Sequence, residues 1–216
     1  CYFRLAMKMN NAGIHFPVWG TCLGMQEMTT WPLNPRKDIL SNCTGTMGTS
    51  LPLNFTKLAQ KSKLFGKAPK FILDILAKEN VTPNFHMFGL TTETYRKNKD
   101  LNQFYDVTST NEDKNGLEFV SSMEAKEYPF YGIQWHPEKI NFEHFQGAQN
   151  MLSNNLHGVL VSQFCANFLV DEARKNSNSF KSISEESRFL FNNYHSTFKD
   201  MFEIYRLTDS DVPKFE

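Results

Sequence analysis

The chain has 216 residues, of which 40% are apolar and 21% are charged, and this composition is ordinary for a globular protein. Its 23 basic and 23 acidic side chains give a formal net charge of zero, which argues against a nucleic-acid protein with a broad basic surface. The longest apolar stretches fall short of the roughly 20 residues that a membrane span needs. We therefore expect one domain over residues 1–216, with neither a nucleic acid nor a membrane as its partner.

The first half of the chain predicts a short strand, a tight turn and two helices. The predicted elements are a strand at residues 15–20 (HFPVWG), a turn at 21–24, a helix starting at 23–28, a loop at 34–56 and a helix at 68–78. The second helix is indicated by apolar residues at helical spacing, namely Phe71, Ile72, Ile75 and Leu76. The loop is indicated by its Gly, Thr and Ser content.

The second half predicts three strands, a long helix and a final strand. They lie at residues 107–110, 117–123, 130–135, 158–175 and 201–207. The dipeptide Asn115-Gly116 lies between the first two of these strands and is a strong hairpin signal. Because helices alternate with strands along the chain, we expect the α/β class.

The strongest chemical signal is the segment GTCLGMQ, with Cys22 at the turn between the first strand and its helix. It resembles the nucleophile turn of Gly-x-Ser-x-Gly hydrolases, in which flanking glycines leave room for a strained central residue. A thiol at a helix N-terminus is favoured as thiolate, and the N–H of Leu23 is placed to bind an oxyanion. The alternative is that Cys22 is a small buried side chain, as lone cysteines commonly are.

A base for this thiol is indicated where the third predicted strand ends, in the segment GIQWHPE. Pro137 biases His136 away from helical geometry, and residues two apart in an extended segment point the same way. Glu138 can therefore hold the His136 ring as the third member of a triad. The alternative is a histidine at a strand end beside an unrelated surface carboxylate, and the Cys22 turn upstream favours catalysis over it.

The role of His86, in the segment PNFH, stays open on the residues alone. It is either a substrate-binding group or a core histidine with satisfied hydrogen bonds, and chemistry alone favours the second. No closely spaced pair of Cys or His ligands indicates a zinc site, and no Gly-rich phosphate loop is present. We therefore expect neither a metal nor an organic cofactor.

Three Asn-x-Ser/Thr sequons predict N-glycosylation at Asn42, Asn54 and Asn80. Each motif is weak by itself and unused loop asparagines remain the alternative at any one site. Three of them in the first half of the chain modestly favour a protein of the secretory pathway.

The motifs GTCLGMQ, NFH and GIQWHPEK together resemble the class I glutamine amidotransferase superfamily and, more narrowly, the gamma-glutamyl hydrolase family of cysteine peptidases. The segments FPVWGTCLG, TPNFH and YPFYGIQWHPEK carry the narrower resemblance, which runs over residues 15–181. It implies a mostly parallel sheet flanked by helices in flavodoxin-like layers.

The resemblance also implies function. It places a catalytic triad on Cys22, His136 and Glu138 and a substrate-contacting histidine on His86. It implies hydrolysis of gamma-glutamyl amide bonds in poly-gamma-glutamyl folates through a thioester. It further implies a lysosomal or secreted, glycosylated protein that forms a homodimer.

The chain departs from that family before the nucleophile turn. Family members begin with several βα units, whereas residues 1–21 precede Cys22 here, and one crossover needs a dozen residues or more. We expect at least two units to be missing, with the loop N–H that completes the oxyanion hole, and residues 1–14 to be the remainder of a helix or a divergent end. Such a chain would expose an apolar sheet edge and lose about 10²–10³ in rate with one oxyanion donor.

Two other functions share these residues. A glutaminase module that supplies ammonia to a synthase has the same triad, although the sequons and the lack of a synthase segment argue against it. A truncated and catalytically impaired homologue is the second alternative, favoured by the short N-terminus and opposed by the retention of Cys22, His136 and Glu138.

Overall fold

The computed structural model describes residues 2–33, 35, 38–142, 155–199 and 202–206. It divides the chain into two compact units, Cys1–Asn176 and Ser177–Glu216; a single domain over residues 1–216 stays a prediction. The apolar side chains explain the division. Both core clusters of the described residues draw their members from the first unit, whereas Phe180 stacks on Phe189 at 5.2 Å between ring centroids.

The described residues of the first unit form seven α-helices and nine strands. Its helices are α1 (Tyr2–Asn11), α2 (Leu23–Thr29), α3 (Lys70–Lys78), α4 (Thr92–Lys97), α5 (Lys99–Phe104), α6 (Lys139–Phe142) and α7 (Leu156–Ala173). Its strands are β1 (Val18–Thr21), β2 (Ser41–Asn42), β3 (Met47–Leu51), β4 (Asn54–Phe55), β5 (Thr82–Phe85), β6 (Phe88–Gly89), β7 (Tyr105–Glu112), β8 (Glu118–Ala125) and β9 (Phe130–Ile133). The second unit contains α8 (Ile183–Ser187) and the antiparallel pair β10 (Ser196–Lys199) and β11 (Phe202–Tyr205).

The main sheet has the strand order β1-β9-β8-β7-β4. Strands β1 and β9 pair in parallel, whereas β9 with β8, β8 with β7 and β7 with β4 pair antiparallel. Parallel pairing, expected for most of the sheet, is thus confined in the described residues to the pair that bears Cys22 and His136. The connections at residues 113–117 and 126–129 explain this, because connections that short can join only antiparallel neighbours.

Helices cover both faces of this sheet, as the α/β expectation requires. On one face, Ala6 of α1 and Met25 and Met28 of α2 are buried in one cluster with Phe130. On the other face, buried residues of α3 and α7 form a second cluster. Burying each large apolar side chain contributes about 1.5–3 kcal/mol. The two helical layers therefore hold the strand ends that follow β1 and β9 in place.

Several local predictions are confirmed and others are corrected. Helix α3 forms where its apolar spacing indicates, although Phe71 is 54% exposed and does not join the buried stripe. The predicted loop at residues 34–56 contains β2, β3 and β4, whose partners β6, β5 and β7 come much later in the chain. Short polar strands of this kind have no periodicity to detect, because their partners define them.

The two ends of the chain contain the helix and the final strand that the sequence predicts there. Helix α1 confirms the helical reading of residues 1–14, while Cys1 lies outside the described residues. Strand β11 falls within the final strand predicted at residues 201–207, whose two end residues are not described. Across the described ranges, every helix is too short or too polar to cross a membrane.

Candidate active site

Cys22 occupies the tight turn predicted between the first strand and its helix. It follows β1 directly and precedes α2, with φ 50° and ψ −104°, and within the described ranges it is the one non-glycine residue at positive φ. Its N–H donates to the carbonyl of Ile133 at 2.8 Å, and its carbonyl accepts from the N–H of Gln26 at 2.9 Å. Strain of this kind costs about 1–3 kcal/mol and persists only where the surroundings enforce it. Sheet and helix together therefore hold Cys22 in the predicted turn.

The two glycines of this motif have different structural roles. A Cβ atom on Gly20 would lie 2.6 Å from Sδ of Met28 and 2.7 Å from the backbone carbon of Gly24, which is closer than real Cβ contacts allow. A Cβ on Gly24 would meet no atom within 4 Å. Close packing of β1 on α2 therefore requires the first glycine and tolerates a side chain at the second.

We expect Gly20→Ala to destabilise the fold by about 1–3 kcal/mol, because its methyl group overpacks the contact between β1 and α2. Gly24→Ala is the matched control within the same motif. It should leave stability unchanged or raise it by about 0.5–1 kcal/mol, since Ala is favoured over Gly in a helix. Urea unfolding of both variants measures the difference, and equal losses of stability would contradict the packing argument.

His136 and Glu138 follow β9 and form the hydrogen-bonded pair that their spacing predicts. The N–H of His136 donates to the carbonyl of Pro83 at 2.8 Å, and its Nδ1 lies 2.6 Å from Oε1 of Glu138. The His136 side chain is 16% exposed and that of Glu138 is 55% exposed. Since Glu138 accepts a hydrogen bond from Nδ1, Nε2 is the ring nitrogen left for Cys22.

The electrostatics of this pair favour a charged imidazole. Burial lowers the pKa of His136, but the hydrogen bonds with Cys22 and Glu138 outweigh burial and raise it to about 9. The ring of Phe85 packs edge-on against the His136 ring, with 6.0 Å between centroids. Because a charged His136 stabilises an anionic sulfur, the arrangement suits a thiolate–imidazolium pair.

Two glutamines that the sequence reading assigned no role form a hydrogen-bond chain behind Cys22. Nε2 of Gln134 donates to Sγ of Cys22 at 3.5 Å. Nε2 of Gln26 donates to the carbonyl of Phe88 at 2.7 Å and to Oε1 of Gln134 at 3.3 Å. Gln134 is completely buried and Gln26 is 9% exposed. Gln26 lies in the motif GTCLGMQ and Gln134 in the motif GIQWHPEK. An uncharged polar residue next to the apolar residues of each motif was the one sign in the sequence that pointed to them.

His86 lies behind the site rather than at its surface. It is 4% exposed, its Nδ1 lies 3.0 Å from the carbonyl of Phe88, and its Nε2 lies 3.1 Å from Oδ1 of Asn84. Burial, and after it the charge of His136, lower the pKa of His86 to about 4, although the Phe88 carbonyl opposes the shift. Both ring nitrogens thus lie close to oxygens of the β5–β6 segment, and the predicted contact of His86 with substrate stays a prediction.

Leu23 is the first residue of α2, so its N–H has no acceptor within the helix. Its side chain is 70% exposed, which leaves this end of the helix open toward Cys22 and solvent. The role of this N–H as an oxyanion donor stays a prediction. The expected loss of the family's second oxyanion donor likewise stays a prediction.

The three predicted glycosylation sites are exposed, whereas the two other described cysteines are buried. Asn42, Asn54 and Asn80 are all exposed. Burial raises the pKa of the Cys43 thiol to about 11, with Asp113 adding to the shift, and that of Cys165 to about 12, with Glu138 adding. In the described part of the chain, no three His, Cys, Asp or Glu side chains converge in a way that could hold a metal ion.

Comparison with known proteins places this geometry in a family. The sequence profile of the family described as Peptidase C26 matches residues 2–138. The chain is 42% identical to a mouse protein named gamma-glutamyl hydrolase over 191 residues, covering 88% of this chain and 58% of the mouse protein. It is 39% identical to the human protein of that name, with the same coverage, and 36% identical to gamma-glutamyl hydrolase B of Dictyostelium discoideum, covering 89% and 54%.

The chain thus spans little more than half the length of these relatives. The matched profile extends over α1, the Cys22 turn and the His136–Glu138 pair, which includes all the parts of the site described above. The chain therefore belongs to the peptidase C26 family.

Proposed function

We propose that this chain carries the cysteine-dependent site of a hydrolase that cleaves gamma-glutamyl amide bonds in poly-gamma-glutamyl folates. The observation that carries the proposal is the hydrogen-bonded series Cys22–His136–Glu138, with Cys22 at a strained strand-to-helix turn. The names of the mouse, human and Dictyostelium relatives support the gamma-glutamyl bond as the target.

The proposed mechanism is acyl transfer to water through a thioester. The Cys22 thiolate attacks the carbonyl carbon of the gamma-glutamyl amide, and the N–H of Leu23 binds the oxyanion that forms. As the intermediate collapses, the C–N bond breaks and His136 gives its proton to the departing amine of glutamate or a glutamate chain. His136 then takes a proton from water, the hydroxide attacks the thioester, and the carboxylic acid leaves as the Cys22 thiolate is released. Glu138 keeps the His136 ring oriented and stabilises its charged form.

Side chains around Cys22 fit a substrate that is partly apolar and partly anionic. Met87 and Phe88 are 59% and 48% exposed, on the segment whose Phe88 carbonyl accepts from Gln26, and large exposed apolar groups near a polar centre commonly mark binding surfaces. The ammonium group of Lys139 lies 5.3 Å from the centroid of the Phe85 ring, and the Phe85 carbonyl lies 3.9 Å from Sγ of Cys22. Because this ammonium lies over the Phe85 ring, the contact places a positive charge near the nucleophile, which suits a ligand that carries carboxylates.

The test is an assay of the purified chain with two substrates, a gamma-glutamyl peptide and free glutamine. We expect release of glutamate from the peptide and little ammonia from glutamine. Preference for glutamine would support the glutaminase alternative, and no turnover of either substrate would support the impaired homologue. Either of the last two results would contradict the proposed function of this chain.

We further propose that the protein is glycosylated and is lysosomal or secreted. The exposure of Asn42, Asn54 and Asn80 supports this proposal, because N-glycans need accessible asparagines. A decrease in intact mass after N-glycosidase treatment of the protein from its source is the corresponding observation. A homodimer without nucleic-acid or membrane partners completes the proposal, and sedimentation of the purified protein measures its oligomeric state.

A further inference from the structure

We propose that the side-chain amide of Gln134 is a second hydrogen-bond donor to the Cys22 sulfur, beside His136, and that it stabilises the thiolate. This inference rests on the proposed function, because it concerns the same nucleophile. It adds to the triad a neutral donor whose orientation is determined by a second glutamine, Gln26.

The direction of the hydrogen bonds through the two glutamines follows from the first acceptor, the Phe88 carbonyl. The backbone carbonyl of Phe88 can only accept a hydrogen bond, so the atom of Gln26 that faces it at 2.7 Å is the donor Nε2. The same Nε2 has a second hydrogen, which it donates to Oε1 of Gln134 at 3.3 Å. With Oε1 engaged as an acceptor, the other end of the Gln134 amide is a donor. Which end of each amide is nitrogen and which is oxygen must be assigned from the hydrogen-bond partners. Here the assignment follows from the Phe88 carbonyl, which can only accept.

The donor end of Gln134 faces the nucleophile. Its Nε2 lies 3.5 Å from Sγ of Cys22, within the range for a hydrogen bond to sulfur. Gln134 is completely buried, and hydrogen bonds to a charged acceptor are stronger in a site of low dielectric constant. A carboxamide also has no charge of its own to compete with the imidazolium, so both partners favour the anionic sulfur.

One stretch of backbone delivers both partners to the sulfur. Gln134 and His136 lie two residues apart directly after β9, where the chain bends at residues 134–135, and both side chains contact the Cys22 sulfur. The N–H of Gln134 donates to the carbonyl of Ser121 at 2.9 Å, and that of His136 donates to the carbonyl of Pro83 at 2.8 Å. These two bonds anchor the segment to β8 and β5 and so hold the two side chains in register.

The test measures the pH dependence of Cys22 alkylation by iodoacetamide, resolved by peptide mapping. We compare the parent chain with Gln134→Met, which removes the donor, and Gln134→Glu, which keeps the shape and presents a carboxylate to the sulfur. The titratable and charged groups around Cys22 are unchanged in both variants, namely His136, Glu138, Lys139 and His86. We expect the alkylation midpoint to rise by about one pH unit in Gln134→Met, as for loss of a hydrogen bond to a charged group, and further in Gln134→Glu.

A third variant tests the supporting glutamine. Gln26→Met leaves Gln134 in place but removes the donor that orients its amide, so we expect a smaller upward shift than in Gln134→Met. Gln26 acts through Gln134 and is a positioning residue, and a purely structural role would leave the alkylation midpoint where it is in the parent chain.

Controls separate these effects from misfolding. Gln163→Met alters an exposed amide on α7, whose Nε2 bonds Asn167 at 2.8 Å, and should leave the midpoint unchanged. Cys43 and Cys165 are buried, so their alkylation reports any variant that opens the fold. If Gln134→Met opens the fold, the alkylation midpoint of Gln134→Glu, which is closer in shape to the parent, provides the test. Parent-like midpoints in the Gln134 variants with Cys43 and Cys165 protected would overturn the inference. Alkylation requires no turnover, so a chain inactive toward gamma-glutamyl substrates that still shows the shift would refute the proposed function and leave this inference standing.

Discussion

Cys22→Ala is expected to lower hydrolysis of gamma-glutamyl substrates by at least about 10⁴-fold, as loss of the nucleophile does in triad enzymes. Cys22 is the one thiol at the strand-to-helix turn, and it shares hydrogen bonds with His136 and Gln134. Without its sulfur no thioester forms, and the remaining groups can only assist direct attack by water. Release of glutamate from a gamma-glutamyl peptide, followed by chromatography, measures the loss.

Cys43→Ala is the matched control for this substitution. Cys43 is 4% exposed, and its Sγ lies 3.8 Å from the carbonyl of Ser41, so its removal should affect packing alone. We expect activity within a few-fold of the parent chain. Equal loss of activity in the two variants would show that the assay reports stability, and substantial activity in Cys22→Ala would remove Cys22 from the mechanism.

Glu138→Gln is expected to reduce kcat by about 10²–10⁴-fold, because the third member of a triad orients the imidazole and stabilises its charged form. Glu138 accepts from Nδ1 of His136 at 2.6 Å and contributes to the pKa of about 9 that the hydrogen bonds of His136 produce. A neutral amide keeps the shape of the side chain and removes its charge. The effect on activity therefore reports orientation and charge at His136.

The pH profile gives the same substitution a second readout. In the parent chain His136 stays protonated up to about pH 9, so the thiolate–imidazolium pair is lost as the pH rises through that value. A folded pKa above the unfolded value of about 6.5 also means that His136 stabilises the fold fully below about pH 6.5 and loses this contribution as the pH rises toward 9. In Glu138→Gln the pKa of His136 falls, so both the alkaline limb of activity and this loss of stability move to lower pH.

The extent of that shift depends on solvent. The Glu138 side chain is 55% exposed, so water and salt screen its charge and the alkaline limb should move by less at high ionic strength. Glu79→Gln is the matched control, because Glu79 pairs with Nδ1 of His157 at 2.8 Å in a second histidine–carboxylate contact of similar form. It should leave the activity profile unchanged. An alkaline limb that does not move in Glu138→Gln would contradict the role of Glu138.

The local parts of the site could be predicted from the sequence. The turn at Cys22 needs Gly20 close to α2, and the contact between His136 and Glu138 joins side chains two positions apart where the chain turns after β9. Both depend on neighbours within a few positions, so residue type and spacing were sufficient. The apolar spacing of α3 and the Asn115-Gly116 hairpin are predictable for the same reason.

Tertiary structure decided what depends on distant neighbours. The directed amide of Gln134 requires Phe88 to approach Gln26 across 62 residues of chain, and the burial of His86 follows from the pairing of β3 with β5 and of β2 with β6. The antiparallel pairing of β4 with β7 likewise follows from which strands meet. By itself the sequence determined the identity and local geometry of the reactive groups, because these depend on residue type and short spacing. Which other groups touch the sulfur was decided only in the folded chain, because burial and long-range contacts determine where hydrogen-bond donors and acceptors meet.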